Sequence, residues 1–437
     1  MTGSLTLYIH LPWCVQKCPY CDFNSHGLDG LARDGLDLIS AEQRYIQALL
    51  ADLEQALPLV WGRSISAVFI GGGTPNVFSP QAIDQLLAGC RARLPWLAGL
   101  EVTMEANPGA GRDQGDWLGY RQAGVNRLSV GVQSFDPGSL AALGRVHSAD
   151  QALAAVTQAT RVFDRVNLDL MYGLPGQTLQ MACDDLATGL SLGVGHLSLY
   201  QLTIEPNTVF ANKPPVLPDE DLIYDMQLAL MNQLSQAGLE RYEVSAYAKP
   251  GQRCAHNLNY WQFGDYLGIG AGAHSKLSAH ADASAEARRS HSASHSASRS
   301  PSRSPSRSAS RSASRSASRS ANWSASEAGL VVSRHNCLRR PQDYMDAVSR
   351  GDGSHRRQVT VAPDELPFEF MLNGLRLVEG FSPALYRERT GLPLETILPG
   401  LEQAQAKGLL LADVSCWRPS AKGLDFLNDL QGLFLHQ

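Results

Sequence analysis

The sequence predicts an α/β protein in which a partial barrel of β/α units precedes a small helical domain. Two observations lead to this prediction. In the first two-thirds of the chain, short runs with strand character alternate with longer helical segments, which is typical of a parallel sheet covered by helices. After a low-complexity segment, the pattern is helical with one short strand. The 437 residues are enough for two or three domains.

Six strands and four intervening helices make up the predicted barrel, a (β/α)6 arrangement. The predicted strands are Leu5–His10, Ala67–Gly71, Leu100–Glu105, Arg127–Gln133, Val166–Met171 and His196–Leu202. The predicted helices are Ala41–Ala56, Pro80–Leu94, Ala149–Val162 and Leu179–Leu190. A further apolar run, Tyr266–Ala273, is expected along the barrel edge. Functional residues are expected where the carboxyl ends of the strands converge.

The composition divides the chain into three parts: a barrel (1–279), a low-complexity insert (280–326) and a C-terminal domain (327–437). Ser, Ala and Arg dominate the insert, which has too few large apolar residues to offset the entropy of ordering. We therefore expect it to be disordered, with no catalytic role. In the C-terminal part, the predicted elements are the helices Pro341–Val348, Glu365–Val378, Pro383–Thr390, Leu394–Lys407 and Ser420–Leu433 and the strand Leu409–Val414.

The charge distribution argues against a nucleic-acid-binding enzyme. The net charge is −5, but eight of the 37 basic and two of the 42 acidic residues lie in 281–321, so the rest carries −11. No window approaches the roughly 20 apolar residues that span a bilayer. The N-terminus also lacks the features of a secretory signal. We therefore expect a cytoplasmic protein, whose eight cysteines hold metal or stay reduced.

Three cysteines directly after the first strand have the spacing CxxxCxxC. Thiolates of Cys14, Cys18 and Cys21 can fill three corners of a cubane [4Fe-4S] cluster and leave one iron open to a small molecule. Zinc is the alternative, because zinc sites usually close with a fourth Cys or His, and His26 lies nearby in the sequence. A disulfide framework would need an oxidising compartment, for which nothing in the sequence argues.

Unusual residues follow or interrupt consecutive predicted strands. One strand runs into Gly71-Gly-Gly-Thr-Pro75, a turn that exposes its backbone to a ligand. Glu105 and Gln133 end the next two strands, and Asp169 lies within the strand after those. A single polar residue in such a strand is usually a hydrogen-bonded structural residue. Their recurrence in consecutive strands favours a shared ligand.

The segment from Tyr8 to Asn24 resembles the signature of radical S-adenosylmethionine (SAM) proteins, specifically the HemN/HemW branch. The segment Glu365–Leu377 also resembles that branch, whose small winged-helix-like domain caps a radical SAM barrel. The resemblance implies that SAM binds the open iron, that Arg145 pairs with its carboxylate, and that Glu105 and Asp169 accept hydrogen bonds from its amino and ribose groups. The residues it implies for SAM are Tyr8, Tyr20, Gly72, Gly73, Thr74, Glu105, Gln133, Arg145 and Asp169.

The segment His256-Asn-Leu-Asn-Tyr-Trp261 resembles the HNxxYW motif of the HemW branch, whose members bind haem and deliver it to respiratory enzymes. The resemblance implies that His256 ligates the haem iron, while Tyr260 and Trp261 stack against the porphyrin. A core histidine with aromatic neighbours is the structural alternative. His274 is a second candidate for the ligand, and it could instead line the SAM pocket.

Two departures distinguish this chain from the HemN-type coproporphyrinogen III dehydrogenases. Those enzymes have a further cysteine where this chain has Phe23, and a long N-terminal extension where it begins seven residues before Tyr8. The prediction is therefore a haem chaperone. The dehydrogenase of porphyrin biosynthesis, or another radical SAM enzyme, stays as the alternative. Haem and haem-requiring respiratory proteins are the expected partners, with at most peripheral membrane contact; the oligomeric state, a homodimer included, is left open.

Overall fold

The computed structural model describes residues 5–33, 37–110, 116–280, 329–412 and 415–435. The predicted insert 280–326 lies, apart from His280, outside these residues. The strands are β1 (Leu5–Leu11), β2 (Trp13–Cys14), β3 (His26–Gly27), β4 (Ile65–Gly72), β5 (Trp96–Ala106), β6 (Arg127–Gln133), β7 (Val166–Tyr172), β8 (His196–Gln201), β9 (Glu240–Arg241), β10 (Ala246–Ala248), β11 (Asp265–Ile269), β12 (His274–His280), β13 (Leu330–Cys337), β14 (Arg356–Thr360), β15 (Leu410–Ala412) and β16 (Trp417–Pro419).

Helices connect most of these strands. The longest, α2, is capped by Asp37, whose carboxylate accepts from the N–H groups of Ile39 and Ser40. The α-helices are α1 (Asp29–Arg33), α2 (Leu38–Ala56), α3 (Pro80–Arg93), α4 (Trp117–Ala123), α5 (Pro137–Ala142), α6 (Ala149–Val162), α7 (Leu179–Ser191), α8 (Val209–Asn212), α9 (Glu220–Gln236), α10 (Ala255–Trp261), α11 (Pro341–Arg350), α12 (Leu366–Gly374), α13 (Pro383–Thr390), α14 (Leu398–Ala406), α15 (Ala421–Asp425) and α16 (Leu427–Gly432). Short 3-10 turns lie at Leu57–Leu59, Pro75–Val77 and Leu394–Thr396.

Twelve of the described strands form one open sheet in the order β14-β13-β12-β11-β1-β4-β5-β6-β7-β8-β10-β9. The seven consecutive strands from β11 to β8 are parallel, and the strands on both flanks are antiparallel. The predicted α/β class with a parallel sheet is therefore confirmed. The run Tyr266–Ala273 does border the first barrel strand, but β11 is not at an edge of the sheet, because β12 to β14 extend the sheet beyond it.

Two predicted C-terminal helices are interrupted in the structure. The predicted helix Leu394–Lys407 is a 3-10 turn followed by α14, which begins next to Pro399. Proline has no N–H group and is favoured in the first turn of a helix, so it marks a new start. The predicted helix Ser420–Leu433 is divided into α15 and α16 at Phe426, whose backbone angles are not helical.

The buried apolar side chains form two main clusters. The larger lies between the parallel strands and helices α2, α3, α6 and α7, and it includes Tyr344 and Met345 of α11. The second holds the C-terminal helices together around Phe370, Tyr386 and Leu401. Strands β13 and β14 extend the main sheet, and α11 packs on its larger cluster. A small C-terminal helical domain therefore follows the large sheet, as predicted, and the division at residue 327 stays a prediction.

A buried polar group, which we call the Asp52 cluster, ties α2 to the strands beyond β11. The carboxylate of Asp52 accepts from Nη2 of Arg356 at 2.7 Å and from Nε2 of His355 at 2.9 Å. It also accepts from the hydroxyl of Tyr344 at 2.7 Å and from the N–H of Gly270 at 3.2 Å. Burial alone would raise the pKa of Asp52, but Arg356 and His355 hold it at about 2.

Candidate functional site

A cavity of about 520 Å³ lies against the parallel strands. Successive side chains of a strand point to opposite faces of the sheet, so alternate residues of one strand share a surface. In β6 the residues between the cavity-lining ones, Leu128, Val130 and Val132, are fully buried in the apolar core. The alternate residues that line the cavity are Arg127, Ser129, Gly131 and Gln133 of β6, Asn167, Asp169 and Met171 of β7, and His196, Ser198 and Tyr200 of β8.

The structure brings nearly all the predicted site residues to this cavity. Trp261 is the exception, since it does not line the cavity and its indole ring lies under the guanidinium of Arg376 at 4.3 Å. The predicted residues that do line it are Cys14, Cys18, Cys21, Tyr8, Tyr20, Gly72, Gly73, Thr74, Glu105, Gln133, Arg145, Asp169, His256 and Tyr260.

The three predicted cluster ligands lie at one end of the cavity, which we call the cysteine end. The hydroxyl of Thr74 donates to Sγ of Cys14 at 3.3 Å, and Nη1 of Arg145 donates to Sγ of Cys18 at 3.5 Å. Burial raises the pKa of the Cys14 thiol, and the hydrogen bond from Thr74 opposes that rise. Donors directed at sulfur favour the thiolate, the form that binds iron, so this donor set suits a cluster on Cys14, Cys18 and Cys21.

The glycine turn after β4 packs directly on the strand that leads into the cysteine loop. The N–H of Gly73 donates to the carbonyl of Leu11 at 2.8 Å, and the N–H of Thr74 donates to that of Trp13 at 2.8 Å. A Cβ on Gly73 would stand 2.7 Å from the carbonyl oxygen of Trp13, so a larger residue would force the two segments apart. The turn therefore positions the cysteine loop as well as bordering the cavity.

Glu105 and Asp169 are half-buried acids that face the same cavity. Oε2 of Glu105 accepts from the N–H of Gly72 at 3.1 Å. Burial and the charge of Asp169 raise the pKa of Glu105 to about 7. The carboxylate of Asp169 accepts from the hydroxyl of Ser129 at 3.1 Å and from Nδ2 of Asn167 at 2.8 Å, and burial raises its pKa. Two acids at one cavity suit a cationic ligand with several donors.

Two further site residues, Gln133 and Arg145, have constrained conformations at the cavity wall. Gln133 has a φ of +73°, a left-handed conformation that few residues other than glycine adopt, at the irregular end of β6. Such strain often occurs at ligand sites. Nη2 of Arg145 donates to Oδ1 of Asn107 at 2.7 Å and to the carbonyl of Gly131 at 2.6 Å. The guanidinium is therefore held in place beside Cys18 before any ligand binds.

His256 lies at the opposite end, which we call the inner end and define by Arg127, His196, Cys254 and His256, all at most 4% exposed. Among the described residues, neither ring nitrogen of His256 has a hydrogen-bond partner. The ring stacks on Phe69 at 4.8 Å. Burial, helped by the charge of Arg127, lowers the pKa of His256 to about 3, so the imidazole is neutral.

The remaining residues of the HNxxYW segment hold helix α10 in place. Nδ2 of Asn257 donates to the hydroxyl of Tyr242 at 3.3 Å. Nδ2 of Asn259 donates to the hydroxyl of Thr6 at 3.1 Å and to the carbonyl of Asp265 at 3.0 Å. The motif thus combines contacts that hold α10 in place with three residues that line the cavity, which are His256, Asn257 and Tyr260.

Tyr260 completes the wall around His256. Its ring meets that of His256 edge to face at 4.4 Å, and it meets Tyr266 in the same way on its other side. Together with the stacked Phe69, this ring leaves His256 bounded by aromatic surface. An apolar macrocycle would find a flat aromatic environment here.

The sequence predictions missed several polar residues of β6, β7 and β8, two of which, Arg127 and His196, belong to the inner end. Arg127, Ser129, Asn167, His196 and Ser198 line the cavity, but none was proposed as a site residue. The signal was present in the sequence, because polar and apolar residues alternate along these three strands. Strands buried on both faces of a parallel sheet are normally apolar throughout, so this alternation marks a face that borders a cavity.

Two histidines that the sequence analysis considered as ligands, His26 for zinc and His274 for haem, do not line the cavity. His26 is in β3, where its N–H donates to the carbonyl of Pro12 at 2.8 Å. His274, proposed as a second haem ligand, lies instead in a separate cleft beside Arg334 and Phe368. No group of three His, Cys, Asp or Glu in the described part of the chain is placed to hold a single metal ion.

Comparison with known proteins agrees with this architecture. The radical SAM superfamily model matches residues 8–187, and the model of the HemN C-terminal domain matches residues 361–426. The haem chaperone HemW of Escherichia coli is 41% identical over 432 residues, which cover 99% of this chain and 98% of that protein. The chain belongs to the HemW family of radical SAM proteins.

Other HemW relatives and one solved structure extend the comparison. HemW of Haemophilus influenzae is 38% identical over 436 residues, covering 99% of this chain and 98% of that protein. The structure of the coproporphyrinogen III oxidase HemN from Escherichia coli, a radical SAM enzyme, matches with a TM-score of 0.72 at 19% identity. The match covers 99% of this chain and 90% of HemN, and it shows a shared fold.

Proposed function

We propose that this HemW family member is a haem chaperone that binds haem at His256. It also holds a [4Fe-4S] cluster and SAM in the same cavity, and it delivers haem to respiratory haem proteins. The relatives named haem chaperones, which match over nearly the whole chain, support the haem part of this proposal. The radical SAM family supports the cluster and SAM.

One observation carries the proposal: His256 faces the cavity with both ring nitrogens unpaired among the described residues. A buried polar atom without a partner costs about 1–3 kcal/mol, so structural histidines are normally hydrogen-bonded. His196 is such a case, with Asn167 and Tyr242 as partners at 2.6 and 2.9 Å. The neutral imidazole of His256 is the form that ligates haem iron, and Phe69 and Tyr260 border it with aromatic surface.

The cluster and SAM would occupy the cysteine end. A cubane cluster with one open iron supplies one-electron reduction of a ligand bound there. Cys14, Cys18 and Cys21 would hold it, while Thr74 and Arg145 donate to the first two sulfurs. These donors would stabilise the thiolate charge and fix the orientation of the cysteine loop.

SAM would lie between the glycine turn and the acids of β5 and β7. Glu105 and Asp169 would accept hydrogen bonds from its amino and ribose groups, and a cationic sulfonium would offset the cost of ionising buried acids. Arg145 is held by Asn107 and Gly131 and would present its guanidinium to the SAM carboxylate.

Delivery to a respiratory acceptor would require contact with a membrane-associated protein. No helix among the described residues is long and apolar enough to cross a bilayer. We therefore propose that any membrane contact is peripheral and occurs through the acceptor.

Anaerobic cluster reconstitution followed by two measurements on one sample tests the proposal. Haem titration monitored at the Soret band should reach one haem per chain. The same preparation, supplied with SAM and reductant, should leave coproporphyrinogen III unconverted. His256→Ala should lower haem affinity at least tenfold, while Trp261→Phe, on the same helix but away from the cavity, should bind haem like the wild type.

Three outcomes would contradict the proposal. Conversion of coproporphyrinogen III to protoporphyrinogen IX would identify a dehydrogenase. SAM cleavage coupled to a product other than protoporphyrinogen IX would indicate another radical SAM enzyme. Equal haem affinity of the wild type and His256→Ala would remove the assignment of His256 as the ligand.

A further inference from the structure

Arg127 is a buried arginine whose guanidinium borders the inner end of the cavity. Its side chain is 3% exposed, and no hydrogen bond joins any of its nitrogens to another described residue. A guanidinium carries five N–H donors and stays charged, so leaving it buried without acceptors is costly. Such a group indicates a ligand that brings its own acceptor.

The acids around Arg127 are engaged elsewhere. Oε2 of Glu101 is 2.8 Å from Nη1 of Arg165 but 4.0 Å from Nε of Arg127. Oε1 of Glu101 accepts from the N–H of Ala255 at 3.0 Å, which holds the start of helix α10. One carboxylate therefore faces two guanidinium groups. Glu101 makes its short contact with Arg165, so no short hydrogen bond to this carboxylate occupies the guanidinium of Arg127.

Asp169 also acts on Arg127 electrostatically, but its oxygens accept from Ser129 and Asn167. The histidines of the inner end do not compete for an anion, because burial lowers the pKa of both His196 and His256 below the usual range. Arg127 is thus the cationic group that the inner end offers to an incoming anion.

We propose that Arg127 binds a carboxylate of the cavity ligand, so that haem ligated by His256 is oriented with a propionate directed inward at Arg127. This inference rests on the proposed function and adds the orientation and the recognised group. A guanidinium matches a carboxylate with two parallel hydrogen bonds, which gives both affinity and orientation. Arg127 and His256 would then recognise two different parts of one macrocycle, its acidic edge and its iron.

The test compares haem with haem dimethyl ester, in which both propionates are masked, on the cluster-reconstituted full chain. Soret titration of the wild type should give an affinity for the ester at least tenfold lower, the size expected for a charge-assisted hydrogen bond. This comparison needs no substitution, so a folding defect cannot explain it.

Substitution of Arg127 should then remove the discrimination. Arg127→Gln should bind haem about tenfold more weakly than the wild type, with nearly equal affinities for haem and its ester. Arg127→Lys should recover part of the preference for free propionates. Arg253→Gln is the matched control, because Arg253 pairs with Glu379 and does not line the cavity, and it should discriminate as the wild type does.

The outcomes separate this inference from the proposed function. If the wild type binds haem and its ester equally well while His256→Ala still abolishes binding, the role of Arg127 is wrong and haem ligation by His256 stands. If Arg127→Gln weakens SAM binding and leaves haem binding unchanged, Arg127 serves SAM, and the inference is likewise wrong. If the wild type binds no haem, both fail.

Discussion

The Asp52 cluster and the inner end of the cavity are both buried groups of charged side chains. They differ in where their hydrogen-bond partners come from. Among the described residues, Asp52 accepts five hydrogen bonds, the fifth from the thiol of Cys337 at 3.9 Å, and Arg356 also donates to Ser275 at 3.1 Å and to the carbonyl of Gly268 at 3.0 Å. Among the described residues, His256 has no hydrogen-bond partner, and Arg127 has only the 4.0 Å ion pair between its Nε and Glu101.

This difference distinguishes residues that stabilise the fold from residues that are available to bind a ligand. A fully paired buried ion contributes when the chain folds, and removing one partner leaves the other uncompensated. An unpaired buried donor or acceptor beside a cavity is a cost in the empty protein that a ligand can remove. Substitutions should therefore affect stability in the first region and ligand binding in the second.

The largest effect should come from the cysteine end. Cys18→Ala should reduce iron and sulfide after anaerobic reconstitution to background, because two thiolates cannot hold the cubane. Metal analysis and the absorbance of the cluster measure this. Cys183→Ala, on helix α7 away from the cavity, should retain full iron content. Full iron in Cys18→Ala would contradict the cluster assignment.

Asp52→Asn should have the largest effect on stability. We expect it to lower the free energy of unfolding by roughly 3–5 kcal/mol at pH 7, because Arg356 and His355 lose a buried anionic partner. His256→Ala should cost much less, since no hydrogen bond is lost. Denaturant unfolding of both variants without ligands provides the measurement. Equal losses of unfolding free energy in the two variants would contradict the distinction between the two regions.

Asp52 and Glu105 should show opposite pH dependence of stability. Asp52 has a folded pKa of about 2, below its unfolded value, so its contribution is present above about pH 4 and is lost as pH falls toward 2. Glu105 has a folded pKa of about 7, above its unfolded value, so it lowers stability as pH rises from about 4 to 7.

The stability of the variants Glu105→Gln and Asp52→Asn at different pH values measures this contrast. Without ligands, Glu105→Gln should match the wild type near pH 5 and be more stable near pH 8, by about 3 kcal/mol. The deficit of Asp52→Asn should instead shrink as pH falls below 4. Unfolding curves across this range test both signs, and a stability deficit of Glu105→Gln that grows with pH would contradict the raised pKa of Glu105.

The smallest effect should be competition between SAM and haem. The predicted SAM residue Tyr8 lies 6.3 Å, ring to ring, from His256, so we expect SAM and haem to bind as close neighbours in one cavity. We expect saturating SAM to weaken haem binding several-fold in a Soret titration. Identical titration curves with and without SAM would show that the cysteine end and the inner end bind their ligands independently.

Much of the barrel follows from local sequence patterns. Strand β6 and helix α6 have the bounds predicted, because Arg127–Gln133 and Ala149–Val162 are bordered by clear turn and capping residues such as Ser148. The cysteine end was also accessible, since its residues follow one another at strand ends. The breaks at Pro399 and Phe426 were missed because the apolar periodicity continues through them.

The inner end was harder to predict for a physical reason. Arg127 begins β6 and Gln133 ends it, roughly 20 Å away along the strand. Because both residues line the cavity, the cavity runs along the whole strand and is not confined to its carboxyl end. Trp261 does not line the cavity, and a motif match alone does not say which side of α10 faces a ligand. The contact of Trp261 with Arg376 is long-range in sequence and becomes visible only after folding.

The electron paramagnetic resonance spectrum of ferric haem on the reconstituted protein tests the central claim most directly. The wild type should show the spectrum of imidazole-ligated haem. His256→Ala should lose it, and added free imidazole should restore it, while Trp261→Phe should match the wild type. An unchanged spectrum in His256→Ala would contradict the assignment of the inner end as a haem site.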